Sequence, residues 1–451
     1  MPFYLPIHFS FYRNFGNAMK VLITGSLGMI GKAVARQLLQ NGHQLICCGR
    51  NREHLIAAFP NAEAISIDFS AQLTPQMWLP RLHEVDVVVN AVGIFRESRT
   101  ARFEQIHHQS AVALFQACEL AGVQRVIQIS SLGADETANT EYHKSKYRAD
   151  SYLKNTRLDW AILHPSLVYA PVSPSLTFFR TLAALPFTPL PDSGSQKIQP
   201  ISLEDVTHAI AWLIEAPSPV RATLPLVGPN AVSLRQFLTL QRRWLGFSEP
   251  RFVHVPSRPL ETALRWLEPV IRTFYSGLIS ADSIRMLKRD NIASSEAFYD
   301  RFGWQATPLE TSLNQQPAST ADRWYYPLKG LKPLLLVSLS MLWVFTGWTS
   351  LWGHPQADSL SLLNRVGVPE SWQLLTLYAA ASADILLGIA LLIKRYQRQA
   401  LMAQLLLMSA YSLILIILLP EYWLHPFGPV TKNLPLTIVT LMLLAMSKED
   451  R

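Results

Sequence analysis

Short apolar runs alternate with amphipathic segments over the first third of the chain. The apolar runs, rich in Val, Ile and Leu, predict buried β-strands, and segments with an apolar residue every three or four positions predict helices. The predicted strands are Lys20–Thr24, Gln44–Cys48, Ala64–Ile67, Val85–Asn90, Arg125–Ser130 and Trp160–His164, and the predicted helices are Ile30–Gln40, Phe103–Ala121 and Tyr142–Asn155. Since strands that alternate with helices form parallel sheets covered on both faces, the pattern predicts an α/β domain with a doubly wound parallel sheet.

The pattern changes at about Pro171, where prolines and loop-forming residues become frequent. Mixed elements then continue to about Gln316, which predicts a smaller lobe over residues 171–316, partly interwoven with the first domain. The stretch QQPASTADRW follows, and residues 317–332 are predicted to be a linker.

Long uncharged runs distinguish the last part of the chain. Pro333–Trp352 and Gln399–Leu419 contain no charged residue, and Gln373–Ile393 contains one, Asp384. A helix needs about 20 apolar residues to cross a bilayer. These three runs and a shorter fourth one predict an all-α domain of four transmembrane helices over residues 333–451. The helices are predicted near 333–352, 373–393, 399–419 and 430–447. For Asp384 two interpretations stay open, a hydrogen bond between helices and a quinone, lipid or proton site.

Basic residues in the short loops predict the orientation of these helices. The clusters are Arg323, Lys329 and Lys332 before the first span, Lys394, Arg395 and Arg398 between the second and third, and Lys448 and Arg451 after the fourth. The opposite loops contain one Lys or Arg each, Arg365 and Lys432. The predicted location is therefore a bacterial-type inner membrane, with the α/β domain and both termini in the cytoplasm.

Composition narrows the classes of partner. The chain has 451 residues, of which 49% are hydrophobic and 16% charged, and a formal net charge of +8. Because no stripe of Lys and Arg is interleaved with aromatic residues, this charge favours an anionic membrane surface over nucleic acid as the partner.

Cys47, Cys48 and Cys118 form neither a CxxC pair nor an even set, so neither a disulfide nor a metal site is predicted. Residues 1–18 lack the features of a signal peptide and are treated as an N-terminal extension, with Met19 as an alternative start.

The segment VLITGSLGMIGKAV joins the first predicted strand to the first predicted helix and contains the pattern TGxxGxxG. Gly25 would allow a sharp turn, Gly28 a close approach of a pyrophosphate, and Gly31 tight packing of helix on sheet. The free N–H groups at the start of the helix would then face the phosphates. The alternative is a loop that only changes direction. The candidate cofactor-binding residues of this loop are Thr24, Gly25, Ser26, Leu27, Gly28, Met29, Ile30 and Gly31.

The end of the second strand indicates which dinucleotide binds. An acidic residue there would favour NAD(H), whereas this chain has Arg50 and Arg52, whose guanidinium groups suit a 2′-phosphate. NADP(H) is therefore the predicted cofactor and NAD(H) the alternative, and residues 19–170 are predicted to be an NAD(P)-binding Rossmann domain. Asp68 is expected near the adenine, and Ala91, Val92 and Gly93 along the ribose.

Tyr142 and Lys146 are four residues apart and so share one face of the predicted helix. An ammonium near a phenol favours the phenolate, so Tyr142 is predicted to exchange a proton with a substrate oxygen near neutral pH. Ser131, or its neighbour Ser130, ends the preceding strand and is expected to hold the same oxygen. The candidate catalytic residues are therefore Tyr142, Lys146 and Ser131.

These motifs resemble the short-chain dehydrogenase/reductase superfamily in its extended or atypical branch, over roughly the first 310 residues. TGSLGMIG resembles the cofactor loop, YHKSK the YxxxK active-site motif, and HPSLVYAP the segment that closes over the nicotinamide. The resemblance implies that Lys146 also binds the nicotinamide ribose and adds Pro165 and Val168 to the cofactor site. The segment MLKRDNIASSEAFYDRFGW resembles relatives of the complex I NADPH-binding subunit. The chain departs from the family at His164, at Ala170 and at His107, which stands where extended members have an asparagine.

The membrane part resembles the DoxX-like family, with HPFGPVTKNLPL (His425–Leu436) as the most characteristic segment. Together the resemblances imply a membrane-anchored NADP(H)-dependent oxidoreductase with a substrate lobe. It would transfer hydride to or from a carbonyl or hydroxyl carbon of a lipophilic molecule such as a quinone or lipid. Two alternatives stay open: a non-catalytic NADP(H)-binding structural, sensor or assembly protein with a membrane protein partner, and an NAD-dependent sugar-nucleotide epimerase or dehydratase.

Overall fold

The computed structural model describes residues 18–98, 100–170, 173–217, 219–274, 281–423, 428 and 430–447. Residues 1–17, His425 and the basic residues Lys448 and Arg451, on which predictions were placed, lie outside the described residues. The described residues form two compact units. One lies within Met1–Arg180, Pro189–Glu261 and Leu278–Ala318, and the other within Thr181–Thr188, Thr262–Gly277 and Ser319–Arg451.

The first unit is built on a seven-stranded parallel sheet in the order β11-β6-β5-β4-β1-β2-β3. Its strands are β1 Lys20–Thr24, β2 Gln44–Gly49, β3 Glu63–Ser66, β4 Val87–Asn90, β5 Arg125–Ile129, β6 Asp159–Pro165 and β11 Ala222–Leu226. The short strands are β7 Val168–Tyr169, β8 Phe187–Pro191, β9 Lys197–Ile198, β10 Ile201–Ser202, β12 Val232–Ser233 and β13 Arg251–Val255. All six predicted strands are confirmed, with ends that move by up to two residues. Because the strand order reverses between β1 and β4, a crevice opens at their carboxyl ends, where ligands of such sheets bind.

Helices cover both faces of the sheet, as predicted. They are α1 Met29–Gln40, α2 Arg52–Ala58, α3 Pro75–Trp78, α4 Ser110–Ala121, α5 Glu141–Lys154, α6 Pro174–Ala184, α7 Leu203–Glu215, α8 Leu234–Trp244, α9 Ser257–Phe274, α10 Ala281–Lys288, α11 Glu296–Phe302 and α12 Leu309–Gln315. A π-helical turn, Glu104–Gln109, leads into α4, and a 3-10 turn, Leu79–Arg81, follows α3. Leu38 of α1 and Ile210 of α7 are buried in one core layer, and Phe115 of α4 and Leu153 of α5 in the other. The predicted α/β class is therefore confirmed.

The second unit contains α13 Thr320–Trp348, α14 Gln356–Arg365, α15 Glu370–Leu392, α16 Gln397–Leu418 and α17 Asn433–Met446, with a π-helical turn at Thr349–Gly353 and a 3-10 turn at Pro420–Trp423. By length and composition, three of the described helices could cross a membrane: α13 with its π-helical turn, α15 and α16. The predicted fourth span corresponds to α17, which has 14 residues and is shorter than a bilayer requires.

Two features of the structure concern the predicted linker and lobe. Most of the predicted linker is helical, since α13 begins at Thr320 after a capping box in which Ser319 and Asp322 bond each other's backbone. Within the predicted lobe, Thr181–Thr188 and Thr262–Gly277 group with the helices of the second unit and not with the sheet. The domain limits given from the sequence stay a prediction.

Candidate nucleotide and catalytic site

The glycine loop between β1 and α1 is too crowded to accept side chains at two of its glycines. Gly25 has a φ of +66°, and a Cβ there would lie 2.8 Å from the Ala91 carbonyl oxygen. A Cβ at Gly31 would lie 2.4 Å from the Gly25 carbonyl oxygen. The loop therefore folds back against α1 and the end of β4, which only glycine allows at both positions.

The hydroxyl groups of this loop serve the fold. Thr24 Oγ1 donates to Asn90 Oδ1 at 2.6 Å and accepts from the Ala91 N–H at 3.1 Å. Ser26 Oγ donates to the Ile23 carbonyl at 2.7 Å and accepts from the Cys48 N–H at 3.2 Å. Both side chains are fully buried, so what the loop offers to a ligand is its backbone.

Helix α1 starts after Gly28, its N-cap, and among the described residues no side chain caps this end. The first N–H groups of a helix lack intrahelical acceptors, and the positive end of the helix attracts anions. The backbone of Met29, Ile30 and Gly31, beside a glycine loop without side chains, therefore fits the pyrophosphate of a dinucleotide.

Basic side chains gather beside this loop. Arg50 is exposed after β2, and Arg52 opens α2. A shallow groove next to Leu27 is lined by Lys32 and Arg36 of α1 and His54 of α2. The sequence analysis missed these three, although Lys32 and Arg36 share a helix face at the i, i+4 spacing. Asp68, expected near the adenine, accepts from Ser70 N at 3.0 Å and Ser70 Oγ at 2.7 Å and so fixes its own turn.

Tyr142, on the first turn of α5, lies in an aromatic cage. Its ring centroid is 5.6 Å from that of Phe95, which stacks on it, and 5.8 Å from that of Phe103. His107 and His143 complete the cage at 5.4 and 5.1 Å. Burial raises the pKa of the Tyr142 phenol to about 12, against a smaller lowering by its hydrogen bond with Ser131.

Lys146 lies one turn further along α5, with Nζ 5.7 Å from the centroid of the Tyr142 ring. Its ammonium donates to the carbonyl oxygens of Ile129 at 3.0 Å and Ser130 at 3.4 Å. Burial lowers the pKa of Lys146 to about 8, and the charge of Asp150 opposes this. Burial dominates the pKa of Tyr142 in this structure, and the expectation that Lys146 brings it towards neutrality stays a prediction.

His107 joins two parts of the site. The Ile94 N–H donates to its Nε2 at 2.9 Å, and its Nδ1 lies 3.0 Å from Ser145 Oγ, which donates to the Tyr142 carbonyl at 2.9 Å. Because Nε2 accepts, Nδ1 carries the proton, and the ring is neutral. Burial and the nearby Lys146 charge hold the pKa of His107 well below its ordinary value. A neutral histidine thus ties the loop after β4 to α5, a contact that the sequence analysis did not find.

The two serines at the end of β5 face different partners. Ser130 Oγ donates to the buried Asp150 carboxylate, which also lies 3.1 Å from His164 Nε2. Ser131 Oγ donates to the Leu132 carbonyl at 3.4 Å and lies close enough to Tyr142 to lower the pKa of its phenol. Of the two serines considered, Ser131 is therefore the one beside the phenol, and Ser130 belongs to a polar group beneath Lys146.

The remaining predicted residues border the same edge of the sheet. Gly93 follows β4, and a Cβ on it would lie 3.7 Å from both His107 Nε2 and Lys146 Nζ. Pro165 ends β6 and accepts from the Leu132 N–H at 2.9 Å, and Val168 pairs with Ile201. The structure thus places the glycine loop, Gly93 and the Tyr142–Lys146 pair at the carboxyl ends of β1, β4 and β5.

Family models match the chain in two places. Residues 25–217 match an NAD(P)H-binding family, and residues 340–441 match the DoxX-like family. The chain therefore contains a Rossmann domain that matches an NAD(P)H-binding family and a C-terminal segment that matches the DoxX-like family.

Two known proteins that the first domain resembles are named for different roles. The chain is 24% identical to the photosystem II assembly factor Ycf39 of Synechocystis sp., over 66% of the chain and 90% of that protein. It is 22% identical to the 40 kDa subunit of mitochondrial NADH-ubiquinone oxidoreductase of Neurospora crassa, over 69% of the chain and 79% of that subunit. Among solved structures, the enzyme WbmH of Bordetella bronchiseptica in complex with NAD⁺ is similar, with a TM-score of 0.51 and 16% sequence identity. The match covers 69% of this chain and 100% of WbmH, and it shows a similar fold.

Proposed function

We propose that the protein is a membrane-anchored, NADP(H)-dependent oxidoreductase that reduces a carbonyl group of a lipophilic substrate. The observation that supports it most is the arrangement of Tyr142 with Ser131 beside it and Lys146 one turn away. These three groups can bind a carbonyl oxygen and protonate it. The basic clusters of the short loops support a bacterial-type inner membrane with the Rossmann domain on the cytoplasmic side.

The residues of the site have separable roles in this proposal. The N–H groups of α1 would hold the pyrophosphate, Arg50 the 2′-phosphate and Lys146 the nicotinamide ribose. The bound cofactor would supply a hydride to the carbonyl carbon. Tyr142 would give its phenolic proton to the carbonyl oxygen while Ser131 orients that oxygen, so the carbonyl becomes an alcohol. The ammonium of Lys146 would stabilise the phenolate that remains, which then regains a proton from water.

The surroundings of Tyr142 support an apolar substrate. Phe95 stacks on the ring of Tyr142 yet is 60% exposed, and Phe103 closes another side. An exposed aromatic side chain at a catalytic group is typical of sites that bind apolar molecules. Helices long enough to cross a bilayer would retain the protein where such molecules dissolve.

A second function is supported by one feature of the site. The side chain of Tyr142 is buried, with an exposed fraction of 6%, and Phe95 stacks on its ring, as expected of a protein that binds a nucleotide without turnover. One relative carries the name of a photosystem II assembly factor, and another is a subunit of a respiratory complex. The second proposal is therefore a nucleotide-binding assembly or sensor protein with a membrane protein partner.

The cofactor is tested first, by calorimetric titration of the detergent-purified protein with NADPH and NADH. A charge-assisted hydrogen bond contributes about 1.5–3 kcal/mol, so Arg50→Ala should weaken NADPH binding by roughly 10–150-fold and leave NADH binding unchanged. Arg243→Ala is the control, because Arg243 is exposed and pairs with Glu249, which belongs to neither the glycine loop nor the Tyr142 site. Equal loss of both nucleotides in Arg50→Ala would contradict a 2′-phosphate site.

Catalysis is tested next with Tyr142→Phe, which removes the proton donor and keeps the aromatic ring. NADPH oxidation with quinones and lipid carbonyls should fall by about 10²–10⁴-fold, while NADPH affinity stays within a factor of two or so. If wild-type protein binds NADPH but oxidises it with none of these acceptors, and Tyr142→Phe supports normal growth, the assembly or sensor function is favoured.

A further inference from the structure

The second unit contains a carboxyl group in the middle of a candidate membrane span. Asp384 lies on α15, roughly 12 Å along the helix axis from its nearer end at Leu392. Its exposed fraction is 5%, so the side chain lies inside the helical bundle and not on its surface. Asp384 and its neighbours belong to this unit alone, and their chemistry does not depend on the proposed oxidoreductase function.

Close packing of α13 against α15 seals one side of Asp384. A Cβ at Gly347 would lie 2.5 Å from the Ala381 carbonyl oxygen and 3.2 Å from Asp384 Cβ. One turn further along α15, Ser340 Oγ donates to the Gly388 carbonyl at 2.7 Å. Small residues let the two helices approach this closely, which leaves no room for lipid between them.

Helix α16 brings a second polar side chain into the same bundle. Gln404 is fully buried, and its Nε2 donates at 3.3 Å to the carbonyl of Leu387, one turn along from Asp384. Gln404 Oε1 and Asp384 Oδ1 are both buried, and neither has a hydrogen-bond partner among the described residues. Two acceptor oxygens therefore lie on adjacent helices without a donor.

Among the described residues, no cation faces Asp384. From α13, Gly347 lies against Asp384, and Ser340 and Val344 lie against Gly388 one turn further along α15; none of the three ionises. From α16 the ionisable residue close enough to interact electrostatically with Asp384 is Tyr411, an acid. A carboxylate at this position would thus have neither a counter-charge nor a hydrogen-bond donor.

We propose that Asp384 is a proton-binding site of the membrane unit, where the carboxyl group exists as the neutral acid and exchanges its proton reversibly. The cost of a charge at this depth favours the neutral acid by about a hundredfold relative to a carboxyl in water. The acid also brings one O–H donor into the bundle in which Gln404 Oε1, on the adjacent helix, lacks a partner among the described residues. Its chemical ligand is the proton, and a site of this kind reacts with lipid-soluble carbodiimides.

The first test is infrared spectroscopy of the full-length protein in lipid nanodiscs, because it reads the protonation state directly. Glu370→Gln on the same helix is the matched control, since Glu370 lies in the exposed first turn of α15. At pH 5, the difference spectrum between wild type and Asp384→Asn should contain the C=O band of a protonated carboxylic acid, and this band should weaken as the pH is raised to 8. The same difference for Glu370→Gln should contain mainly carboxylate bands at pH 5. Carboxylate bands for Asp384→Asn at pH 5 would overturn the proposal.

The second test is chemical modification with dicyclohexylcarbodiimide. This reagent takes the proton of a carboxylic acid on one nitrogen while the carboxyl oxygen bonds to its central carbon. Peptide mass spectrometry should find the adduct at Asp384 and at least tenfold less at Glu370, and Asp384→Asn should lack it. Labelling of Glu370 alone, together with a carboxylate signature for Asp384, would identify Asp384 as an ionised structural residue.

Discussion

Replacement of His107 by Phe separates the contribution of its hydrogen bonds to stability from the contribution of its ring packing. The variant keeps an aromatic ring 5.3 Å from that of Phe103 but removes the acceptor of the Ile94 N–H and the partner of Ser145 Oγ. An unpartnered N–H costs about 1–3 kcal/mol and a lost hydrogen bond about 1 kcal/mol more. The folded state should therefore lose about 2–4 kcal/mol.

His108→Phe is the matched control from the same π-helical turn. The His108 side chain is 28% exposed and lies 2.7 Å from Glu104 Oε1, an interaction of the kind that contributes about 0–1 kcal/mol. Thermal unfolding of the full-length protein in detergent should show a midpoint about 4–10 °C below wild type for His107→Phe and within about 2 °C for His108→Phe. Equal losses in the two variants would refute the structural role of His107.

The pH dependence of the stability gives an independent test that His107 is buried as a neutral ring. The pKa of His107 lies well below 6.5 in the folded protein because of burial, so below pH 6.5 the unfolded chain binds the extra proton. The stability from this group is therefore complete above pH 6.5 and falls by up to about 1.4 kcal/mol for each pH unit below it. Burial also lowers the pKa of His143, to about 4, and that group acts in the same direction. His107→Phe should keep only the His143 part of this slope, and an unchanged slope would show that His107 is not buried as a neutral ring.

Two further changes test the glycine loop and the group beneath Lys146. Gly31→Ala places a Cβ 2.4 Å from the Gly25 carbonyl oxygen and should cost about 1–3 kcal/mol and weaken NADPH binding more than tenfold by calorimetry. A Cβ at Gly49 would meet the Leu55 and Leu27 side chains at 3.4 and 3.6 Å, ordinary van der Waals distances, so Gly49→Ala should change little. Asp150→Asn removes the charge that raises the pKa of Lys146. In the wild type, NADPH affinity should fall as the pH rises past about 8 (the alkaline limb of the profile), and in the variant this fall should begin at a lower pH. Glu141→Gln, on the exposed face of α5, should leave that limb in place, and a limb that does not move in Asp150→Asn would remove Lys146 as its origin.

Much of the first unit could be predicted because its strands are short, apolar and buried. β1 begins and ends where the alternation of apolar runs and helices predicted it. β11 was missed because Pro225 lies within ATLPL, and proline argues against a strand in sequence. The start of α13 was also missed, although the Ser319–Asp322 spacing of a capping box was present in the stretch that was interpreted as a linker.

The candidate site was predictable where it depends on local spacing and unpredictable where it depends on tertiary contacts. The i, i+4 spacing of Tyr142 and Lys146 places them on one helix face. The bond from Ile94 to His107 joins a loop to a π-helical turn, and no periodic pattern signals it. The two serines after β5 are adjacent in sequence, and only the position of Asp150 in the fold decides which of them faces the phenol.

Burial acts in opposite directions on the two ionisable groups of the site and thereby bears on the direction of reaction. It raises the pKa of Tyr142 to about 12 and lowers the pKa of Lys146 to about 8, so at neutral pH a phenol stands beside an ammonium. A phenol can give a proton to a carbonyl oxygen at once, whereas oxidation of an alcohol would first require the phenolate. Lys146 is the cation available to stabilise that phenolate, yet its ammonium donates to the carbonyls of Ile129 and Ser130 and lies 5.7 Å from the ring centroid. The resting protonation states therefore support the reductive direction that we propose.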